Sequence, residues 1–277
     1  KPRIVFFENV HGFTVGFTQE GKKGIPYSQQ VINSLKRMGY KVHSELIDVS
    51  QYGVPQKRKR FILVGTLSGD PKKFFKLLNS NKADFLIERG LVGPITVEEA
   101  IGDLKKINGQ VTCPDSPSFK SGLYGDSSSN YQKLMRKKKC EMMTIPNSHR
   151  FAKQKEDTIE VYRKIMKISD EAKRITPKFN LAIGLKKRGV TPLKANCICT
   201  TVTSIPDDYI HYCEPRILTV REMARFQSFP DWYSFKGKYT TGGVLRKVDV
   251  PRYTQVANAV PPLFAEQVGL SLKEMLE

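Results

Sequence analysis

Over the first 66 residues, short apolar runs alternate with one helical pattern. Ile4–Phe7 is an apolar run typical of a strand that is covered on both faces, and it ends at Glu8. Pro26 can open a helix that Gly39 closes, and the apolar positions of this helix recur at helical spacing: Val31, Ile32, Leu35 and Met38. A strand followed by a crossover helix predicts an α/β fold.

Two further strand patterns follow this helix. Lys41–Ile47 alternates apolar and polar residues, and Phe61–Gly65 is another apolar run. The connection between them, residues 48–60, has no room for another helix. We therefore expect the two strands to pair in antiparallel orientation.

From about Thr66 onward the regular α/β rhythm is lost. Thr96–Glu99 has the sequence of a capping box that opens a short helix, and a polar stretch rich in Ser and Gly covers Asp115–Asn130. A lysine-rich helix is expected at about Lys155–Arg174. We interpret residues 67–215 as a smaller, irregular domain that is inserted between two parts of the core.

The last part of the chain returns to regular patterns. Thr219–Glu222 is a second capping box, ahead of a compact helix that ends near Phe229. A final helix starts near Pro261 and carries apolar residues at helical spacing: Phe264, Val268, Leu272 and Met275. Residues 1–66 and 216–277 are therefore predicted to form one core together.

The composition adds a polyanionic partner to this picture. The 277 residues are 39% hydrophobic, enough for a real core, and 46 Lys and Arg against 27 Asp and Glu leave a formal net charge of +19. This excess exceeds what solubility requires and indicates nucleic acid, although a solvated basic surface is the alternative interpretation. Basic runs lie at residues 136–139 and 186–188.

The cysteine pattern argues against disulfides. Five cysteines are an odd number, and the chain contains neither a signal peptide nor a long apolar run. Cys197, Cys199, His211 and Cys213 could be proposed as zinc ligands. The single residue between the first two does not match the usual ligand spacing, so we favour buried cysteines on strands and predict no metal.

Four segments in this order resemble the carbon-5 cytosine DNA methyltransferases. They are Phe7–Val10, Gln56–Arg60, Arg216–Asp231 and Tyr253–Pro262. The resemblance spans the chain and includes a long variable stretch between the second and third segments, which in the family is the target-recognition domain. It implies an α/β fold: part of the Rossmann-like sheet of S-adenosylmethionine-dependent methyltransferases, with the irregular recognition domain inserted.

The resemblance also implies the chemistry. In this family a cysteine adds to carbon 6 of cytosine, and the resulting enamine takes the methyl group of S-adenosyl-L-methionine. Glu8 matches the glutamate that hydrogen-bonds ring nitrogen 3 and the exocyclic amine. Arg60 matches the arginine that contacts the base oxygen, and Arg58 matches its partner near the phosphate and the catalytic loop. These three residues are the expected catalytic group.

Other matching residues are expected to contact DNA or the cofactor. Gln56 and Lys57 lie beside the arginines and are expected to contact DNA, and Gln56 should also orient its loop. Thr201 and Val202 match the family's pair of a threonine and an aliphatic residue that approaches DNA. A Thr-rich strand without a DNA role is the alternative. The expected cofactor-contacting pair is close to the start of the last helix, where backbone N–H groups favour a carboxylate: Asn258 and Ala259.

The third and fourth matched segments contain one departure from the family and three residues with an expected structural role. Ala257 stands where the family usually has glycine, which puts cofactor affinity in question. Arg221, Arg225 and Gln227 match residues that brace the recognition domain against the core, so we expect them to be architectural.

The family's cofactor loop and its Pro-Cys nucleophile are not found in this sequence. None of the five cysteines follows a proline, and Cys113 instead precedes Pro114. We therefore expect no methyl transfer by this chain alone and predict an N-terminal half as partner, upstream in the same polypeptide or as a separate subunit. The start at Lys1, directly before a strand pattern, favours a cropped polypeptide.

The function implied is methylation of duplex DNA after base flipping, in restriction-modification or regulation. We expect a cytoplasmic, nucleoid-associated protein of bacterial or phage-like origin, without membrane association. A DNA-binding module that keeps the scaffold without chemistry is the alternative. A general RNA-binding protein is disfavoured, because no aromatic-rich platform for single strands is apparent.

Overall fold

A computed structural model describes residues 1–16, 18–19, 22–137, 144–169, 173–175, 189–240 and 248–277. The strands are β1 (Ile4–Val10), β2 (Thr18–Gln19), β3 (Lys22–Lys23), β4 (Lys41–Asp48), β5 (Lys59–Thr66), β6 (Gln110–Thr112), β7 (Lys120–Gly122), β8 (Thr191–Pro192) and β9 (Tyr209–Ile210). The α-helices are α1 (Tyr27–Arg37), α2 (Lys72–Ser80), α3 (Lys82–Ile87), α4 (Val97–Ile101), α5 (Asn130–Arg136), α6 (Glu156–Ile168), α7 (Val220–Phe226), α8 (Arg252–Asn258) and α9 (Pro262–Leu276).

The main sheet has the strand order β1-β5-β4, and β5 pairs antiparallel with both neighbours. The predicted antiparallel pairing of the second and third strand patterns is therefore confirmed. β1 differs from the prediction in two respects. It continues through Glu8 to Val10, because Glu8 pairs with Ile62 and Val10 with Arg60, and its residues before Val10 are half-buried, not buried.

Each face of this sheet is covered by helices. On β5, Phe61 and Leu63 pack with Leu35 of α1, whereas Ile62 and Val64 pack on the opposite face. This follows from the alternation of side chains along a strand. The residues that cover the second face come from α2 and α9: Phe74, Phe75, Leu78, Phe264 and Val268.

The helical predictions are confirmed where local signals are strong. α1 ends before Gly39, which has a φ of 91°, and Thr96 caps α4 through the predicted capping box. The lysine-rich helix is shorter than expected, since α6 ends at Ile168. α2, α3, α5 and α8 were not predicted. Residues 138–139 of the first basic run and the whole of the second, residues 186–188, lie outside the described residues.

α7 forms the centre of the largest core. All seven of its residues are buried, and Thr219 caps it in the predicted capping box with Glu222. A buried helix that carries charges needs counter-ions. Arg216 donates to both carboxylate oxygens of Glu222, at 2.9 and 2.6 Å, and Arg225 is held by two buried carboxylates, those of Asp103 and Asp231.

Two further points concern the domain boundaries and the helices of the chain. The division at residues 66 and 215 stays a prediction. Within the described ranges, every helix is too short or too polar to traverse a lipid bilayer.

His149 gives the fold a predicted pH dependence. Its side chain is fully buried, with Nδ1 2.9 Å from Thr219 Oγ1, and burial lowers the pKa of His149 to about 4. The unfolded chain binds this proton near pH 6.5 and the folded chain does not, so stability is complete above about pH 6.5 and is lost as the pH falls towards 4. We expect His149→Gln to remove up to about 3 kcal/mol of this loss.

Urea unfolding at several pH values tests this expectation. Wild type and His149→Gln should diverge in their pH slope between about pH 6.5 and 4 and run parallel above it. Identical slopes over the whole range would show that His149 is not the group responsible.

Candidate active site

A cavity of about 910 Å³ opens where four segments meet. They are the end of β1, the turn and first residues of β5, the recognition segment (residues 200–204) and the end of α8. The recognition segment has no strand ladder, contrary to the strand expected there. The lining residues come from all four: Glu8, Asn9, Val10, His11, Gly12, Asp48, Lys57, Arg58, Lys59, Arg60, Thr201, Val202, Thr203, Ser204, Ala257 and Asn258.

Glu8 and Arg60 converge in this cavity. Arg60 Nε lies 2.8 Å from Glu8 Oε1, and Arg60 Nη1 donates to the carbonyl of Lys59 at 2.9 Å. Burial lowers the pKa of Arg60, and the Glu8 carboxylate counteracts part of that effect. The strand register explains the approach, because Val10 and Arg60 are paired across β1 and β5.

Arg58 forms a deeper part of the wall. Its guanidinium donates to two backbone carbonyls, that of Val202 at 3.3 Å and that of Ala257 at 2.6 Å. Burial, and after it the neighbouring Arg60 cation, lower the pKa of Arg58 to about 10. Its Nε has no hydrogen-bond partner within the described part of the chain. Arg58 therefore joins the recognition segment to α8 while remaining an incompletely compensated cation.

Gln56 connects the same segments from behind. Its buried Nε2 donates to the Phe226 carbonyl and to Gln227 Oε1, each at 2.7 Å, and its Oε1 accepts from Val202 N at 3.0 Å. Gln227 Nε2 continues the network by donating to the Val256 carbonyl at 2.7 Å. The end of α7, the recognition segment and α8 are thus joined through two amide side chains, those of Gln56 and Gln227.

The four residues expected to contact DNA divide into two pairs. Lys57 and Thr201 are exposed, and the Thr201 hydroxyl donates to the Lys57 carbonyl at 2.6 Å. Gln56 and Val202 are buried. The structure therefore leaves the first pair accessible to a ligand, whereas the side chains of the second pair serve internal contacts.

Asn258 and Ala259 lie at the end of α8, not on the last helix. Asn258 is exposed and lines the cavity. The backbone N–H of Leu263, at the start of α9, already donates to Ser228 Oγ at 3.1 Å, so the expected binding of a carboxylate there has lost one donor. Ala257 lies within α8, a conformation that alanine adopts freely, so no glycine is needed at this position.

The cysteines considered as zinc ligands differ from one another in exposure. Cys199 is buried as expected, but Cys197 and Cys213 are exposed, and neither lies on a strand. His211 is fully buried, and its Nε2 lies 3.6 Å from Glu222. The interpretation as buried strand cysteines is therefore wrong for Cys197 and Cys213.

Several cavity residues were not predicted. Asp48 accepts the backbone N–H groups of Ser50 and Arg58 and so closes the turn before β5. Its position at the end of a predicted strand was a usable signal. Thr203 lines the opposite wall and donates to Asp208 at 2.7 Å, a contact that no local pattern indicates.

Comparisons with known proteins show which family the chain resembles. Residues 1–274 match the family described as C-5 cytosine-specific DNA methylase. The type II methyltransferase M.XorII of Xanthomonas oryzae pv. oryzae is 28% identical, over 100% of this chain and 59% of that protein. For M.Bpa9945I of Bacillus paralicheniformis the identity is 30%, over 100% of this chain and 61% of that protein.

A solved structure shows the same fold. The crystal structure of a prophage-encoded DNA modification methyltransferase from E. coli has a TM-score of 0.61 at 23% identity, and the match covers 99% of this chain and 70% of that one. The predicted fold class is confirmed. The chain spans about three fifths of the length of the two curated relatives.

Replacing Gln56 tests the hydrogen-bond network. Gln56→Ala leaves the buried N–H of Val202 and the carbonyl of Phe226 without their partner, and each such group costs about 1–3 kcal/mol. We expect the free energy of unfolding in urea to fall by roughly 2–4 kcal/mol. The neighbouring exposed variant Lys57→Ala should stay within about 0.5 kcal/mol of wild type. Equal effects of the two substitutions would contradict the role given to Gln56.

Proposed function

Because the chain belongs to the C-5 cytosine-specific DNA methylase family, we propose that it forms the base-binding and DNA-contacting part of a DNA (cytosine-5-)-methyltransferase. The complete enzyme transfers a methyl group from S-adenosyl-L-methionine, the family's methyl donor, to carbon 5 of cytosine in duplex DNA. As with the type II relatives, its role is in restriction-modification. We place it on DNA in the cytoplasm of a bacterium or a phage-infected cell.

The convergence of Glu8 and Arg60 in one cavity carries this proposal. Their contact uses Glu8 Oε1 and Arg60 Nε, and Arg60 Nη1 is bonded to a carbonyl. Glu8 and Arg60 therefore present a carboxylate and a guanidinium side by side on the cavity wall. A cytosine edge requires such a set: a carboxyl group for ring nitrogen 3 and the exocyclic amine, and a cation for the base oxygen.

Glu8 is the acid that neutralises the ring as the base is activated. A carboxyl group that hydrogen-bonds ring nitrogen 3 draws electron density from carbon 6, where the family's cysteine adds. Arg60 supplies a cation that stays charged and holds both the base oxygen and the carboxylate in place. When the base enters the cavity, its polar edge exchanges hydrogen bonds with water for hydrogen bonds with Glu8 and Arg60.

The remaining predicted residues take supporting roles. Arg58 and Gln56 position the turn and the recognition segment through buried hydrogen bonds. Lys57 and Thr201, both exposed on the cavity, contact the DNA backbone and the target strand. Val202 is buried in the largest core and is held by the hydrogen bond of its N–H to Gln56.

The residues near the end of α8 fit the methyl donor in part. The exposed amide of Asn258 is free to bond a polar group in the cavity, and S-adenosyl-L-methionine supplies the activated methyl when bound. The Ala259 carbonyl already accepts from Gln227 Nε2 at 3.4 Å, and its N–H already donates to the Val256 carbonyl at 3.3 Å, so its contribution is limited to its methyl group.

A complementary N-terminal half is the proposed partner. The sequence contains no Pro-Cys pair, and β1 has one hydrogen-bonded neighbour, β5, among the described strands. Its other edge is open, and an open edge with half-buried side chains is suited to pairing with a further strand. This supports a partner sheet that brings the nucleophile to Glu8, upstream in the same polypeptide or as a separate subunit.

Methyl transfer by the reassembled enzyme tests the chemistry. The chain is mixed with a polypeptide that carries the Pro-Cys half, and transfer of labelled methyl groups to duplex DNA is measured. We expect Glu8→Gln to reduce the rate by about 10²-fold or more while leaving DNA affinity largely unchanged. Glu45→Gln, an exposed change on β4, is the matched control and should keep the full rate.

Two results would contradict the proposal. Full activity of Glu8→Gln would remove the acid from the mechanism. DNA binding without transfer under every pairing would favour the alternative, a DNA-binding module on the same scaffold that performs no chemistry.

Salt dependence tests the binding step by itself. The net charge of +19 predicts release of counter-ions when the chain binds DNA, so the association constant should fall steeply with salt. If roughly six to ten phosphates are contacted, the loss between about 50 and 200 mM salt is about 10³- to 10⁵-fold. Fluorescence anisotropy with a labelled duplex measures it, and a flat response would count against a DNA substrate.

A further inference from the structure

A cluster of cations and aromatic rings lies away from the cavity at Glu8 and Arg60, which is called the target cavity below. The Arg150 guanidinium lies 4.0 Å from the centre of the Phe119 ring and 3.8 Å from that of Tyr239. Arg252 also contacts the Tyr239 ring, at 4.2 Å, and Lys153 Nζ lies 5.0 Å from the Phe119 ring. The two rings hold Arg150 in one orientation, because stacking restricts a planar guanidinium.

Arg150 lacks a counter-ion within the described residues. Its Nη1 donates to Ser116 Oγ at 3.2 Å, and its buried Nε has no hydrogen-bond partner there. The nearby carboxylate, Asp115, is already occupied by other groups. It lies 2.5 Å from Arg252 Nη1 and accepts from the Tyr239 hydroxyl at 2.9 Å. The cation is therefore held in place but not neutralised.

A cavity of about 500 Å³, here called the anion cavity, adjoins this cation. Besides Arg150 and Arg252, the lining includes the hydroxyl-bearing residues Ser116 and Thr240. It also includes Asp115, which is paired with Arg252, and Lys238, which is paired with Asp249. A stacked guanidinium without a counter-ion among the described residues and two hydroxyl groups form a donor set that binds a phosphate group, and the Asp115 carboxylate is already compensated by Arg252. The cavity is thus suited to an anion with several oxygen atoms.

Helix α8 extends from the anion cavity to the target cavity. Arg252, its first residue, lines the anion cavity, and Asn258, its last, lines the target cavity. At a rise of 1.5 Å per residue, the two Cα atoms are about 9 Å apart along the helix axis. One short helix therefore connects the two cavities.

We propose that the cavity at Arg150 binds a backbone phosphate of the same duplex, at a position away from the target cytosine. This inference rests on the proposed function. It adds a contact that fixes the position of the duplex without reading a base. Arg150 supplies the edge of its guanidinium, and the aromatic rings keep that edge directed at the phosphate.

Salt-dependent binding of a labelled duplex to the chain tests the proposal. Loss of one phosphate contact should reduce the slope of log K against log salt by about 0.9 and weaken binding about five- to tenfold near 100 mM salt. We expect this of Arg150→Gln. Arg163→Gln is the matched control, because it removes the same charge from an exposed arginine that Glu156 and Glu160 already hold.

A second variant covers the case in which loss of the stacked arginine unfolds the domain. Thr240 is exposed and lines the cavity, so Thr240→Glu adds a carboxylate next to Arg150 without removing the stack. It should lower both affinity and slope. Ser80→Glu, which adds the same charge on α2 outside the cavity, should change neither by as much.

The outcomes separate the two proposals. A wild-type chain that fails to bind duplex DNA would overturn both. Steep salt dependence in wild type with unchanged slopes in Arg150→Gln and Thr240→Glu would overturn this one alone. Thermal stabilisation of wild type by inorganic phosphate, absent in Arg150→Gln and without any change in DNA slope, would also overturn it in favour of a site for free anions.

Discussion

The arrangement of the candidate site depends on the buried amide of Gln56. A primary amide carries both donors and an acceptor, so one side chain can bond Val202 N on one side and the Phe226 carbonyl and Gln227 on the other. No water replaces these bonds in a fully buried position, and breaking them leaves unpaired polar groups. The recognition segment, the turn before β5 and the end of α7 therefore keep one relative position, and this position defines the cavity.

The arginines of this protein fall into two groups by their partners. Arg216 and Arg225 are buried against carboxylates, which compensates the cost of burying charge and holds α7 in the core. Arg58 is bonded to carbonyl oxygens, whereas Arg150 is bonded to a hydroxyl oxygen and stacked on two rings, and each keeps a buried Nε without a partner among the described residues. Binding of a negatively charged ligand stabilises an arginine of the second group most, because no carboxylate of the described residues is paired with its guanidinium. Arg58 and Arg150 are therefore the positions at which the basic excess of the chain is suited to meet a polyanion.

The sheet explains both the presence of the cavity and what we propose to complete it. β5 is central and covered by helices on both faces, so Arg60 at its start is held firmly beside β1. β1 has an open edge, next to which a further strand can pair. Glu8 lies near the end of this edge strand, next to the edge at which a further strand can pair.

The sequence by itself determined the strands of the sheet, α1, the two capping boxes and α9, because alternation, helical spacing and caps are interactions between residues close in the chain. It also indicated that Glu8 and Arg60 meet, through the resemblance of their segments. Only the tertiary structure decided that Gln56 and Val202 are buried, that Cys197 and Cys213 are exposed, and that Arg150 lies between two rings. Those outcomes depend on segments far apart in the chain, whose contacts leave no periodic trace in either segment.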